Sequence, residues 1–375
     1  MLFLMTSSSA AIGAGHAEHA ARTCRGDETA MRQPSSGGAP GVPAGSCATY
    51  RPVMRHARLS DSRLPDLTRL LPPWPGECVT IDGAEVFLRR TPASSDGAEP
   101  ALYVHGLGGA STNWTDLAGL LAERFDAAAV DLPGFGHSPG PPDGDYSIAA
   151  RVRLVSRLIE AREAGSVHLL GNSLGGLVCL IVAATRPDLI RTLTLISPAM
   201  PAFRPPGRSD PLVPLLLLPG FARLAERRLT RLTPEARARE VIELCFADPS
   251  RIPEQRLAEA AEEVRRRSEL PWAMDAFTGS LRGLVRCYFS RGPASPWRLA
   301  RSVQAPTLVM WGDQDRLVHV SLAARTAAAI PDARLLVLPN IGHTAQLEDP
   351  RTTARAVLAL VEDAAVTSGP CRDRT

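Results

Sequence analysis

Two rhythms of apolar and polar positions alternate along most of this chain. Short apolar runs bounded by turn residues read as strands; longer stretches with apolar residues every three or four positions read as helices. Cys78 to Ile81 and Glu85 to Arg89 predict two strands around the turn Asp82-Gly83. Ala101 to Val104 predicts a buried strand, Asn113 to Phe125 a helix and Ala127 to Val130 another strand. Ile148, Val152, Val155, Leu158 and Ile159 mark one face of a helix over Ser147 to Ala164. Val167 to Gly171 predicts a strand, Leu174 to Thr185 a buried helix and Ile190 to Ile196 a strand.

The alternation then stops. From Pro201 to Ala300 the pattern is helical, and Thr233-Pro234-Glu235 reads as an N-cap followed by proline at the first helical position. It resumes with a strand at Pro306 to Trp311, a helix at Val320 to Ile330, a strand at Arg334 to Leu338 and a last helix at Pro350 to Glu362. Repeated strand–helix units predict the α/β class, with a mostly parallel central sheet flanked by helices. The helical block predicts a cap inserted into that fold. The expected division is a discontinuous core at 61–200 and 301–365, a helical cap at 201–300, a disordered extension at 1–60 and a frayed tail at 366–375. The extension is rich in Ser, Ala, Gly and Pro, and Met31 or Met54 could each begin a chain. Its start, Met-Leu-Phe-Leu-Met, lacks the positive region of a secretion signal.

Composition narrows the chemistry. At 45% apolar residues the chain can bury a sizeable core, and a formal charge of +3 is too small to argue for nucleic acid or a membrane surface. The chain contains no lysine, which excludes lysine nucleophiles and Schiff bases. Seven cysteines, an odd number with no C-x-x-C pair, read as reduced thiols and lead us to expect a cytoplasmic setting. No apolar stretch reaches the length of a membrane span; the run Leu212 to Phe221 is short and broken by prolines and a glycine.

Ligands of open parallel sheets bind beyond the carboxyl ends of the strands, and each motif here falls at such an end. Gly171-Asn172-Ser173-Leu174-Gly175-Gly176 follows a strand and opens a helix. This is G-x-S-x-G in the context where a sharp turn lifts a serine hydroxyl clear of the sheet. The helix aims its first N–H groups at the site, so the Leu174 N–H is placed to hold an oxyanion. The plainer reading is a glycine-rich turn with an incidental serine. His105-Gly106-Leu107-Gly108-Gly109 would supply a second donor, assigned to Leu107 with Gly108 as the alternative. His105 reads as a structural residue of that loop.

A serine nucleophile needs a histidine base and a carboxylate to orient it. Of eight histidines, only His343 lies in a loop after the last strand, whereas His168 reads as a satisfied core residue. In Trp311-Gly312-Asp313-Gln314-Asp315, Asp315 is the expected carboxylate and Asp313 the reserve, against the plainer reading that either merely caps the next helix. The chain order Ser173, Asp315, His343 is that of the α/β-hydrolases.

On these motifs, together with Asp131-Leu132-Pro133-Gly134-Phe135-Gly136-His137-Ser138, the chain resembles the α/β-hydrolase superfamily from Trp74 to Val361. The resemblance implies an esterase- or lipase-like enzyme working through an acyl-enzyme on a small, apolar ester, without metal or organic cofactor. Dehalogenases and epoxide hydrolases are disfavoured because they carry aspartate where Ser173 stands. Carbon–carbon bond hydrolases of ring-cleavage products share Gly-Asn-Ser and remain the alternative, as does a hydrolase-like receptor with slow turnover. Trp272, Phe277 and Leu281, with Gly108, are the expected substrate contacts, although most apolar residues of the cap should simply pack it onto the core. Expected partners are the ester alone, with no nucleic acid and no stable membrane insertion, in a monomer or homodimer.

Overall fold

Burial of both faces of a central sheet organises the chain. The computed structural model describes residues 54–66, 69–202 and 231–368. Strands β1 (Arg55–His56), β2 (Gly76–Ile81), β3 (Ala84–Thr91), β4 (Glu99–Val104), β5 (Phe125–Val130), β6 (Val167–Asn172), β7 (Ile190–Ile196), β8 (Thr307–Gly312) and β9 (Ala333–Leu338) form one sheet. Its order is β1-β9-β8-β7-β6-β4-β5-β3-β2. Only the pairings made by β3, with β2 and with β5, are antiparallel. The order reverses at β4, because β5 lies on one side of it and β6 on the other. That switch opens a crevice at the carboxyl ends of β4 and β6.

Alternation along the strands feeds two cores. In β4, Leu102 and Val104 enter one cluster while Ala101 and Tyr103 enter the other; in β8, Val309 and Trp311 oppose Leu308 and Met310 in the same way. Such strands read as continuous apolar runs because neither face meets water. Helices α1 (Thr115–Leu120), α2 (Ile148–Ala161) and α3 (Leu174–Thr185) fall between strands of the first half. Between β7 and β8 the described residues include α4 (Pro234–Cys245), α5 (Glu254–Ser268), α6 (Ala273–Tyr288) and α7 (Pro296–Leu299). Then follow α8 (Ser321–Ala329), α9 (Ala345–Glu348) and α10 (Pro350–Ser368). Thr233 caps α4 by accepting from the Ala236 N–H at 3.2 Å, with Pro234 at its first position.

The insert is tied to the helices α1 and α2 by specific polar contacts. Arg256 of α5 makes a bidentate pair with Asp116 of α1 at 2.6 and 2.9 Å, both side chains being buried. Arg151 of α2 donates to Ser280 of α6 at 2.6 Å. No described helix is long and apolar enough to cross a membrane.

Three expectations need correction. The helix expected over Asn113 to Phe125 is a 3-10 turn at Ser111–Trp114 followed by the short α1, because Phe125 pairs with Glu99 and already belongs to β5. The stretch 1–60 was expected to be disordered, yet Arg55–His56 pairs in parallel with β9. Ion pairs from Arg55 to Asp332 (2.9 Å) and from Arg58 to Glu362 (2.8 Å) hold that polar edge, and Ser60 is buried. At the other end α10 runs through Ser368, past the expected start of the tail at 366. The apolar run Leu212 to Phe221 lies outside the described residues.

Candidate active site

Ser173 stands between the last residue of β6 and the first of α3 with φ 54° and ψ −117°. A non-glycine residue in this region costs about 1–3 kcal/mol and persists only when its surroundings enforce it. Here they do. Its N–H donates to Ile196 O at 3.0 Å, and its carbonyl accepts from Leu177 at 3.1 Å and Ala199 at 2.9 Å. A Cβ at Gly175 would lie 2.3 Å from Val104 O, and one at Gly171 would lie 2.6 Å from Gly175 O. Both glycines are therefore steric requirements of the turn. Ser173 keeps partial exposure while Asn172 and Leu174 on either side are buried.

The β4 loop lies against this elbow. A Cβ on Gly106 would be 3.1 Å from Ser173 Cβ. Residues 106–109 form a tight turn in which the Gly109 N–H donates to Gly106 O at 3.1 Å, with Gly108 at φ 76°. That leaves Leu107 and Gly108 as its two central residues, the geometry of a type II turn. His105 is buried and supports the loop: its Nε2 accepts from the Leu132 N–H at 2.9 Å and its Nδ1 donates to Gly106 O at 2.7 Å. These partners fix one neutral tautomer, and burial holds the imidazole below the ordinary histidine value. His168, in β6, is likewise buried, bonded to Thr192 and Glu99.

Asp131 buttresses the loop from β5. Fully buried, it accepts from the backbone N–H groups of Ser111 and His137. Burial pushes its carboxyl up, but hydrogen bonds from His137 and from the Ser111 N–H outweigh that and hold it below the usual range. Gly136 is obligatory here, since its Cβ would lie 2.0 Å from Asp131 Cγ.

Asp315 and His343 meet directly. His343 Nδ1 donates to Asp315 Oδ2 at 2.8 Å, and both side chains are buried. The other carboxylate oxygen accepts from Leu317 and Val318 N–H groups at 2.8 and 2.9 Å, so Asp315 is a turn cap as well as a histidine partner. The reserve candidate, Asp313, instead accepts from the Asn340 N–H at 2.8 Å and steadies the histidine loop from its other end.

Two residues that sequence reasoning did not single out join the parts. Asn172 donates Nδ2 both to Ile196 O and to His343 O, each at 3.1 Å. Ser173 is thus one residue away from a direct bond to His343. Glu348, with its side chain wholly buried, accepts from Gly342 N–H at 2.7 Å and from Ala247 and Asp248 N–H groups at 3.0 Å. The His343 N–H donates to Cys245 O at 2.6 Å. The strap after α4 therefore carries part of the histidine loop. Asn172 fills the variable position of G-x-S-x-G, which shows the residue type but not its partners; Glu348 offered no signal, because its hydrogen bonds are to backbone N–H groups, with Arg251 Nη1 3.6 Å from Oε1.

Of the expected substrate contacts, Phe277 comes closest to the loop: its ring is 3.4 Å from where a Gly108 Cβ would be. Trp272 packs instead near Gly140, and Leu281 is buried within the insert. Arg267 of α5 also reaches the loop, donating Nη1 to Gly108 O at 2.8 Å. Among the described residues no cluster of His, Cys, Asp and Glu could hold a metal ion.

A family profile described as alpha/beta hydrolase fold matches residues 100–350, which contain every one of these elements. The chain belongs to the α/β-hydrolase family. This α/β-hydrolase is 31% identical over 72% of its length to the dihydrolipoyllysine-residue acetyltransferase component of the acetoin cleaving system of Cupriavidus necator, covering 64% of that protein. The chain thus spans less than two thirds of that relative's length. It is 27% identical over 70% of its length to the monoacylglycerol lipase ABHD6 of Mus musculus, covering 75% of it. Its fold matches a crystal structure of the meta-cleavage product hydrolase CumD of Pseudomonas fluorescens IP01 with a TM-score of 0.61 at 20% identity, over 77% of this chain and 98% of that one.

Proposed function

We propose that this α/β-hydrolase cleaves a carboxylic ester through an acyl-enzyme formed on Ser173. The observation that carries this reading is the strained serine elbow tied through Asn172 to a buried His343–Asp315 pair. Asp315 takes the proton-bearing Nδ1 of His343, which leaves Nε2 as the free base. In the proposed reaction Nε2 accepts the Ser173 hydroxyl proton as the oxygen attacks the ester carbonyl. The N–H groups of Leu174, at the start of α3, and of Leu107, in the turn beside Ser173, hold the negative oxygen. His343 returns the proton to the departing alcohol, and water releases the acyl group by the reverse steps. The lipases among the relatives support an ester as substrate, and Phe277 beside the oxyanion turn supports an apolar acyl group.

A fluorophosphonate probe and a series of p-nitrophenyl esters test this. The wild-type protein should label and turn over, while Ser173→Ala should not label and should lose about 10⁴- to 10⁶-fold in kcat with its circular dichroism unchanged. Undiminished ester turnover by that variant would remove the serine from its role.

A further inference from the structure

The last turn of α5 carries three consecutive arginines that behave differently. Arg265 pairs with Glu262 on its own helix and with Glu269 just past its end, and Arg266 pairs with Glu263 on the helix. Arg267 pairs with no carboxylate among the described residues. Its Nη1 instead crosses to the carbonyl of Gly108, at 2.8 Å, in the turn beside Ser173. Arg267 is half-buried, and burial holds its guanidinium below the ordinary arginine value.

The turn it reaches has one closing bond of its own, from Gly109 N–H to Gly106 O. Gly108 sits at φ 76°. Glycine takes either sign of φ with similar ease, so steric preference alone does not choose the geometry that places the neighbouring Leu107 and Gly108 N–H groups. The peptide unit after Gly108 is held at both ends: its N–H, on Gly109, donates to Gly106 O, and its carbonyl accepts from Arg267. The Phe277 ring closes the same side of Gly108. Both outside contacts come from the insert, α5 and α6.

We infer that Arg267 is a positioning residue that presets the oxyanion turn, so that the helical insert contributes to the reaction rate. This rests on the ester-hydrolase reading for its catalytic consequence, but its structural content stands apart from it. An oxyanion donor accelerates reaction only when it is already aimed where charge develops, and removal of one such donor lowers kcat about 10²- to 10³-fold. Loosening the turn should lower it less, by about 10- to 100-fold.

The test compares wild type with Arg267→Met, which keeps an unbranched apolar stem but no donor, and Arg267→Lys, which keeps a cationic donor group. Hydrogen exchange of the peptide spanning residues 105–110 is measured first, because it needs no activity. Exchange should be faster in Arg267→Met and partly restored in Arg267→Lys; unchanged exchange overturns the inference even if the protein cleaves no ester. With a p-nitrophenyl ester, Arg267→Met should lose kcat with KM altered less than about twofold, and fluorophosphonate labelling should slow in parallel. A loss confined to KM would make Arg267 a substrate contact and overturn the positioning role. A wild type that neither labels nor turns over would sink the ester reading, which the exchange measurement separates from the fate of Arg267.

Discussion

Replacing Glu348 by glutamine tests whether the loop bearing His343 is held from outside. Both carboxylate oxygens are used: Oε1 accepts from Ala247 and Asp248, and Oε2 from Gly342 and Ala247. Glutamine offers one oxygen and one amide nitrogen. Whichever way it turns, at least one backbone N–H, that of Gly342 or of Asp248, loses its acceptor and faces another donor. A hydrogen bond to a charged group contributes about 1.5–3 kcal/mol, and a donor left unsatisfied adds to the loss. We expect Glu348→Gln to destabilise the fold by about 2–4 kcal/mol. At about 2 °C per kcal/mol for a chain of this size, the melting midpoint should fall by about 4–8 °C. Displacement of the Gly342–His343 segment by about 1 Å should lower kcat by about 100-fold. Thermal melts followed by circular dichroism, and ester turnover well below the melting range, measure the two effects separately. A melting midpoint within about 1 °C of wild type together with undiminished kcat would refute the argument that this carboxylate holds the histidine loop.

Other perturbations reach different joints of the structure. Gly175→Ala places a methyl group 2.3 Å from Val104 O, so we expect a loss of at least about 3 kcal/mol, or failure to fold, read as soluble yield and melting midpoint. In Asp315→Asn the oxygen can still serve the Leu317 and Val318 N–H groups, which turns the amide nitrogen toward His343 Nδ1 and imposes the wrong tautomer. Its kcat should fall about 10⁴-fold with the fold retained, and a loss below about tenfold would contradict the role of Asp315. Burial holds both His105 and His168 below the ordinary histidine value of 6.5, so the native state resists their protonation. Their contribution to stability is full above that pH and is lost progressively as pH falls below it, because there the unfolded chain binds more protons. Urea midpoints measured from pH 7.5 down to pH 5 should decline, and His105→Asn should flatten the decline.

The strand–helix rhythm made the central sheet legible because strands buried on both faces give unbroken apolar runs. The ends of β6 and β8 could be placed because glycine and aspartate mark the turns. The edge strand at Arg55–His56 was not legible: it is polar, short and held by ion pairs with residues such as Asp332, so it carries no period. The helix expected over Asn113 to Phe125 overran because apolar residues continue smoothly into β5, where pairing with β4 wins. At the site, the residue types of Ser173, Asp315 and His343 were enough to suggest their roles. The roles of Glu348 and Arg267 were not legible, because each hydrogen-bonds to main-chain atoms of a distant segment, and any residue there can supply a carbonyl or an N–H.

The bond from the His343 N–H to Cys245 O, and those from Ala247 and Asp248 to Glu348, bear on any attempt to graft a new lid onto this scaffold. A chimaera that exchanges the whole insert for one from a relative would discard the main-chain splint of the His343 loop. The splice must leave residues 245–248 with the recipient, so that substrate range can be traded at the helices while the imidazole keeps its foundation.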